Sequence, residues 1–167
     1  MIAAPDCTNG QNKTLPGDVF EKLGSDVTVA VFAGYCNFIG PIPDSIGSIT
    51  SLKLLDLSVN NLTGLIPASL GNLTSIEFLG VGRNNLHGEI SPIFGNLQRL
   101  ETLGLNHNEL TGRVPEDVID LYGSRMINFW IRDNNLSGNF TVNSRDYQYF
   151  ADYTDAEIKR YVRDELK

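Results

Sequence analysis

The residues of this chain that could perform catalysis are few and scattered. Its two histidines, His87 and His107, lie in no recognisable nucleophile, metal or acid–base arrangement. Residues 80–85, Gly-Val-Gly-Arg-Asn-Asn, resemble a phosphate-binding loop, but neither a third glycine nor a lysine follows. Three carboxylates within residues 116–120 would suit a cation, although a solvated acidic surface is the simpler interpretation. We therefore expect no enzyme activity, no metal and no cofactor.

The remaining candidates are side chains suited to the recognition of another molecule. Aromatic and arginine side chains dominate the binding energy of many protein interfaces. Such residues, with a few other polar ones, recur at related positions along the chain. We select eight as a candidate ligand-binding set: Phe32, Tyr35, Asp56, Phe78, Arg83, His107, Trp130 and Arg132. They matter as a set only if the fold brings them to one surface.

A regular spacing along the chain predicts that it does. The interval from Cys36 to Asn60 recurs from Asn60 to Asn84 and from Asn84 to Asn108, Asn134 follows after a slightly longer one, and each of these residues has a glycine four positions later. The same apolar frame surrounds each of these positions. Self-similarity at a fixed period between about 20 and 50 residues predicts a stacked solenoid. One repeat cannot fold alone, because ordering its backbone costs roughly 1 to 2 kcal/mol per residue.

Within each repeat the pattern changes from strand to bend to helical turn. Residues 55–57, 79–81 and 103–105 alternate with period two, which predicts short strands that together form a parallel sheet. The asparagine that follows is predicted to lie inside the bend, where its amide satisfies backbone groups. These buried positions, with Cys36 replacing the first asparagine, form a predicted structural ladder. A return segment such as 68–73 has helical spacing.

Residues 55–73, Leu-Asp-Leu-Ser-Val-Asn-Asn-Leu-Thr-Gly-Leu-Ile-Pro and Ala-Ser-Leu-Gly-Asn-Leu, resemble the plant-type leucine-rich repeat. The pattern of that family is LxxLxLxxNxLxGxIPxxLGxL, and the resemblance extends over residues 28–141. It implies an α/β repeat solenoid that is curved, with a parallel sheet on its concave face and short helical or irregular convex segments. It also implies a protein-binding role, as in receptor-kinase ectodomains and polygalacturonase-inhibiting proteins.

Three regions are expected. Residues 1–27 form an N-terminal cap with a degenerate half-repeat, because 15–23 is similar to 114–121. Residues 28–141 hold five repeats. Residues 142–167 form an aromatic segment followed by a capping helix, in which Thr-Asp-Ala-Glu at 154–157 is a capping box. One face of that helix carries Ile158, Tyr161, Val162 and Leu166. The alternative for this helix is a linker or partner-binding segment.

Two departures from the repeat are informative. Cys36 stands where the other repeats have asparagine, and we interpret it as a buried thiol, with a disulfide to Cys7 as the alternative. Two additional residues precede Asn134, and we expect them in a loop within 121–126.

Side chains at one strand position should line up across neighbouring repeats, because parallel strands stand about 4.8 Å apart. Phe32, Tyr35, Leu54, Phe78 and Trp130 are thus expected to expose apolar area that the core does not need. The alternative is that the N-terminal segment covers the first two and the aromatic segment covers the tryptophan.

Composition limits the remaining possibilities. A formal charge of −7 argues against nucleic-acid binding, and no apolar run reaches the roughly 18 residues of a membrane span. The resemblance implies an extracellular or membrane-associated protein, but the beginning of the chain lacks a signal-peptide pattern, so a cytoplasmic location stays open. Five glycosylation sequons fit secretion, although the repeat consensus alone also generates them: Asn12, Asn61, Asn72, Asn135 and Asn139. Oligomeric state stays open.

The leading hypothesis is a non-catalytic leucine-rich-repeat module that binds a protein or peptide through its concave face, in recognition or signalling. One alternative is an ice- or polysaccharide-binding solenoid that uses the convex Asn-Leu-Thr-Gly rows, which His87 and Glu109 interrupt. Another is a severed ectodomain fragment of a receptor-like kinase.

Overall fold

The structure, a computed structural model, describes residues 13–15, 30–32 and 36–138. In chain order the elements of this part are β1 (Lys13–Thr14), β2 (Ala30–Phe32), β3 (Phe38–Gly40), a 3₁₀-helix (Asp44–Ser48), β4 (Leu54–Asp56), β5 (Asn61–Leu65), a 3₁₀-helix (Ala68–Asn72), β6 (Phe78–Gly80), β7 (Asn85–Glu89), a 3₁₀-helix (Pro92–Asn96), β8 (Thr102–Gly104), β9 (Glu109–Thr111), α1 (Glu116–Ser124) and β10 (Asn128–Trp130).

The strands form two parallel sheets, and the chain visits them alternately. The first sheet has the order β2-β4-β6-β8-β10, and the second has the order β1-β3-β5-β7-β9. Leu79 pairs with Leu55 on one side and with Leu103 on the other, so equivalent residues of successive repeats stack in register. The α/β repeat solenoid with a parallel sheet is confirmed. The second sheet is an addition, since the sequence indicated only a bend there.

One continuous apolar core fills the space between the two sheets and the helical segments. Leu79 of the first sheet, Leu86 of the second and Leu70 of a 3₁₀-helix are all fully buried. Each such side chain contributes roughly 1.5 to 3 kcal/mol when it leaves water. The core therefore runs along the stack, and every interior repeat depends on its two neighbours.

The asparagine ladder joins the repeats at the bend. Asn84 Oδ1 accepts a hydrogen bond from the Leu62 N–H at 3.0 Å, and its Nδ2 donates to the carbonyls of Leu57 and Val81, each at 3.0 Å. Because Leu57 and Leu62 belong to the preceding repeat, one side chain connects two repeats. Asn108 bonds in the same way. The predicted ladder is confirmed at these buried positions.

The backbone turns sharply just before each ladder asparagine. Val59, Arg83, His107 and Asp133 have positive φ angles of 57°, 55°, 53° and 56°. L-residues pay about 1 to 2 kcal/mol in this left-handed region, and a β-branched residue such as valine is unusual there. The stacked fold therefore imposes the turn even where the local residue disfavours it.

Two interpretations of the sequence were wrong. Cys36 is disulfide-bonded, so it is not a free thiol. Disulfides persist in oxidising compartments. The additional residues near 121–126 lie largely in the nine-residue helix α1 rather than in a loop. Cys7, Tyr35, most of the N-terminal cap and the C-terminal segment 142–167 lie outside the described residues.

Candidate recognition surface on the first sheet

The first sheet presents its outward side chains in rows that run across the repeats. We call this surface the first-sheet face and define it by the described side chains at four strand positions. They are Leu54, Phe78, Thr102 and Asn128; Asp56, Gly80, Gly104 and Trp130; Ser58, Gly82, Asn106 and Arg132; and Val59, Arg83, His107 and Asp133. Six of the eight predicted ligand-binding residues thus share one surface. Phe32 lies in β2 opposite Asp56, and its side chain is outside the description.

Two aromatic rings lie across glycines of this face. A Cβ atom added to Gly80 would stand 2.9 Å from Cε1 of Phe78, closer than real contacts allow. A Cβ atom added to Gly104 would stand 3.2 Å from Cε3 of Trp130. The absence of side chains at these glycines therefore lets both rings settle onto the sheet. We call this part of the first-sheet face, where the rings of Phe78 and Trp130 lie against Gly80 and Gly104, the aromatic floor.

The floor is more closely packed than the sequence indicated. Trp130 is only 7% exposed and Asp56 only 4%, so the expectation that Trp130 displays a large exposed ring is wrong. Asp56 Oδ1 also accepts a hydrogen bond from the Ser58 N–H at 2.9 Å. Both residues shape the floor, and the half-buried Phe78 offers more area to a partner.

A basic margin follows the ends of these strands. Arg83 and Arg132 are exposed, and His107 is half-buried. Asp133 Oδ2 lies 3.1 Å from His107 Nδ1 and 3.2 Å from Arg132 Nε, so this carboxylate holds two of the three groups in place. Within the described part of the chain Arg83 takes part in no ion pair, which leaves its guanidinium available to an acidic group.

An acidic margin precedes the same strands. Lys53 Nζ and Glu77 Oε1 are 3.2 Å apart, and the side chains are 39% and 44% exposed, so this pair contributes little to stability. Glu101 in the next repeat is exposed. The first-sheet face thus has Glu77 and Glu101 on one margin, with Lys53 paired to Glu77. The other margin has Arg83 and Arg132, with Asp133 paired to Arg132 and His107. Such a surface favours a partner with an ordered charge pattern.

The selection from the sequence missed polar residues of the floor. Asn128 Nδ2 donates a hydrogen bond to Thr102 Oγ1 at 3.1 Å, and Thr102 is 4% exposed. The rows of the repeat would have pointed to both residues, but aromatic and charged types were preferred. Among the described side chains, no cluster of three or more His, Cys, Asp or Glu residues could hold a metal ion.

The second sheet presents a different surface. Its outward side chains are exposed and mostly polar, and we call this surface the second-sheet face: Asn61, Thr63, Leu65, Asn85, His87, Glu89, Glu109 and Thr111. His87 lies opposite Glu109 across the β7–β9 ladder. Leu65 is 60% exposed, which is unusual for a large apolar side chain here. The backbone of this surface repeats from one strand to the next, but the residue types at equivalent positions differ.

Comparison with known proteins agrees with this architecture. The family model of the leucine-rich repeat matches residues 51–73 and 99–121. The ectodomain of the plant membrane receptor kinase GASSHO1/SCHENGEN3 from Arabidopsis thaliana, in complex with CASPARIAN STRIP INTEGRITY FACTOR 2, is similar at 30% identity and a TM-score of 0.68. That match covers 78% of this chain and 15% of the receptor chain. The chain thus carries leucine-rich repeats, and the matches are consistent with a plant-type leucine-rich-repeat protein.

Two further structures are similar to this leucine-rich-repeat protein. The Arabidopsis thaliana receptor kinase HAESA, in complex with the peptide hormone IDA and the co-receptor SERK1, is 29% identical with a TM-score of 0.68, over 75% of this chain and 20% of that one. A plant ice-binding protein is 29% identical with a TM-score of 0.68, over 81% of this chain and 42% of that one. The protein therefore spans less than half the length of these relatives.

No curated protein matches the leucine-rich-repeat chain. Within the described part, α1 with nine residues is the longest helix, and no helix has the length and apolarity needed to cross a bilayer.

Proposed function

We propose that this leucine-rich-repeat protein is a non-catalytic module that binds a protein or peptide segment on its first-sheet face. The observation that supports the proposal is the aromatic floor of Phe78 and Trp130 over Gly80 and Gly104, bounded by margins of opposite charge. Two similar structures are a receptor-kinase ectodomain and a receptor kinase, both in complexes, and the second complex contains a peptide hormone.

The geometry favours an extended segment that crosses the strands. Successive repeats present equivalent positions about 4.8 Å apart, and an extended segment rises about 3.3 Å per residue, so about three of its residues would cross two repeats. An apolar side chain of the partner would contact Phe78, and an acidic group would approach Arg83. A basic group would face Glu101 on the other margin. Charge order would then fix the direction in which the segment lies.

A paired substitution on the first-sheet face tests this proposal. Phe78→Ala removes the more exposed ring, and Arg83→Asn removes the guanidinium while keeping a residue that tolerates the positive φ angle of 55°. The matched control, Asn85→Ala with His87→Ala, changes two exposed residues of the second-sheet face. All three proteins should have similar melting temperatures before binding is compared.

The measurement is selection from a phage-displayed library of random peptides. We expect the unchanged protein and the control to enrich one consensus that combines an apolar residue with an acidic residue, and we expect the first-sheet variant to lose it. Enrichment lost only in the control would move the site to the second sheet. If the unchanged protein enriches no sequence above the first-sheet variant, the proposal fails.

A second candidate is the binding of ice or a polysaccharide by the second-sheet face. Its support is the row of exposed Asn and Thr side chains and the similarity to a plant ice-binding protein. His87 and Glu109 interrupt that row, so we rank this function second. Thermal hysteresis, measured for the unchanged protein, Thr63→Lys and Phe78→Ala, distinguishes the two. Activity that only Thr63→Lys abolishes would support ice binding, and no activity in the unchanged protein would exclude ice.

A further inference from the structure

The two ring nitrogens of His107 lie in different surroundings. Nδ1 is 3.1 Å from Asp133 Oδ2, so it donates a hydrogen bond to this carboxylate. Nε2 is buried and has no hydrogen-bond partner among the described residues, although the side chain as a whole is 31% exposed. A neutral imidazole carries its proton on only one nitrogen, and Nδ1 is the nitrogen that has an acceptor. The observed position of the ring therefore suits the neutral form.

The charged groups around this ring, within the described part of the chain, come from successive repeats. Asp133 and Arg132 belong to the turn of the following repeat, and Arg132 Nε lies 3.2 Å from the same carboxylate oxygen. Arg83 is exposed at the equivalent position of the preceding repeat. Glu109 follows His107 by two residues, but its side chain lies on the second-sheet face. One carboxylate thus pairs with a guanidinium and the imidazole, while two guanidinium groups oppose a further positive charge.

Protonation of His107 changes this balance. Histidine is the side chain that ordinarily changes charge between pH 5 and pH 8. A proton on Nε2 creates a charged donor that is buried without an acceptor, which costs the full desolvation of that group. Attraction to Asp133 offsets little of this cost, because that carboxylate is 53% exposed and shared with Arg132. The protonated ring is therefore more stable where Nε2 reaches water.

We propose that His107 is a pH-sensitive switch on the first-sheet face. In its neutral form the ring stays against Asp133, with Nε2 buried. In its protonated form the ring turns outward and hydrates both nitrogens, while Asp133 stays paired with Arg132. Because 31% of the side chain is already exposed, the ring can reach water by rotation about its own side-chain bonds.

The switch regulates the ligand of this face, and this consequence rests on the proposed function. The outward imidazolium stands on the basic margin beside Arg83, where it adds a positive charge. An acidic group of the partner then meets a more positive margin at low pH than at high pH. Binding of an acidic peptide therefore strengthens between pH 7.5 and pH 5.5, a range in which the peptide's own carboxylates stay ionised.

Nuclear magnetic resonance of the free, full-length protein tests the switch without any ligand. The chain has two histidines, and the exposed His87 on the second-sheet face is an internal reference. At pH 7.5 we expect His107 as the Nδ1–H tautomer, with ring contacts to Asp133. On titration to pH 5.5 those contacts should be lost, and the backbone amides of 83, 132 and 133 should shift with the same midpoint as the His107 ring. A ring that keeps its contacts to Asp133 in both charge states would overturn the proposal.

Peptide binding at two pH values tests the consequence for the ligand. The probe is a synthetic copy of the acidic consensus peptide that the unchanged protein enriches, titrated calorimetrically at pH 7.5 and pH 5.5. We expect roughly fivefold tighter binding at pH 5.5, the effect of one additional unit charge about 4 Å from an acidic group in water. His107→Asn should remove this pH dependence, because asparagine tolerates the φ angle of 53° and does not titrate. The matched control, His87→Asn, should keep it.

The two experiments fail in distinguishable ways. If the library yields no peptide, the proposed function fails, and the magnetic resonance titration still decides whether His107 switches. If a peptide binds equally well at both pH values, or if His107→Asn retains the pH dependence, the switch is overturned while the proposed function stands.

Discussion

The two sheets share a backbone plan but differ on their outer faces. Both are parallel and contribute to one core, with Leu79 and Leu86 fully buried beneath them. On the first-sheet face, Asp56 and Trp130 are 4% and 7% exposed. On the second-sheet face, Asn61, Thr63, Asn85 and His87 are all exposed. Side-chain neighbours, rather than hydrogen-bonded pairing, create this difference.

Glycines explain the packed face. Gly80 and Gly104 leave room into which Phe78 and Trp130 settle, so the residues there contact one another laterally. In the second sheet Gly64 and Gly88 lie within β5 and β7, where both have a φ angle of 85°, and the side chains of Asn61, Thr63, Asn85 and His87 beside them are exposed. A packed, varied surface has a defined shape that suits one partner. A repetitive surface of exposed polar side chains is hydrated, and it matches a ligand that is itself repetitive, such as ice or a polysaccharide.

The largest expected effect tests whether the two sheets share one core. Leu79→Ala lies under the first sheet and Leu86→Ala under the second, and each should lower the free energy of unfolding by roughly 2 to 5 kcal/mol through loss of contacts and a cavity. Urea denaturation measures both. A loss below about 0.5 kcal/mol at either site would mean that its sheet is not part of the core.

The next effect concerns the ladder between the sheets. Asn84→Leu removes a buried amide that bonds backbone groups of two repeats, and it should cost at least about 2 kcal/mol because those groups stay buried without partners. The neighbouring Asn85 is exposed, so Asn85→Leu is a control of the same chemistry and should change stability by less than about 0.5 kcal/mol. Equal losses at both positions would contradict the ladder.

A smaller effect tests the packed floor. Gly104→Ala would push the Trp130 ring away from the sheet and cost about 1 to 2 kcal/mol. Trp130 is the single tryptophan of the chain, so its fluorescence should shift to longer wavelength and become more accessible to iodide. Thr63→Ala on the second-sheet face should leave the spectrum unchanged. An unshifted spectrum in Gly104→Ala would show that the ring does not rest on this glycine.

The smallest expected effect is a gain in stability at the turn between the sheets. Val59 adopts a φ angle of 57°, which asparagine tolerates far better than valine. Val59→Asn should therefore raise the free energy of unfolding by about 0.5 to 1 kcal/mol. A lower melting temperature in this variant would indicate that the half-buried valine side chain contributes more than the strained backbone costs.

Much of the fold could be predicted from spacing, but the second sheet could not. The apolar positions and the ladder residues recur at a nearly constant interval, which fixed the stack and the inward set. In Asn61–Leu65, however, one buried leucine lies among exposed residues and a glycine, which does not separate a strand from a bend. Its pairing with β7 depends on residues of the following repeat, as in Thr63 with Asn85.

The candidate surface, like the fold, could be predicted from the sequence only in part. The period alone placed Phe78, Arg83, His107 and Arg132 on one face, because equivalent strand positions must align in a stack. The burial of Trp130 depends on Gly104, its partner in the preceding repeat, which is distant in the chain and adjacent only in the sheet.

The sequence by itself determined the repeat length, the apolar layer and the buried asparagines, since each is imposed on every repeat by the same local pattern. Only the tertiary structure decided that Asp56 and Trp130 pack into the floor and that Cys36 is disulfide-bonded. The physical reason is that exposure depends on what neighbouring repeats place beside a residue. That neighbourhood exists only once the chain is stacked.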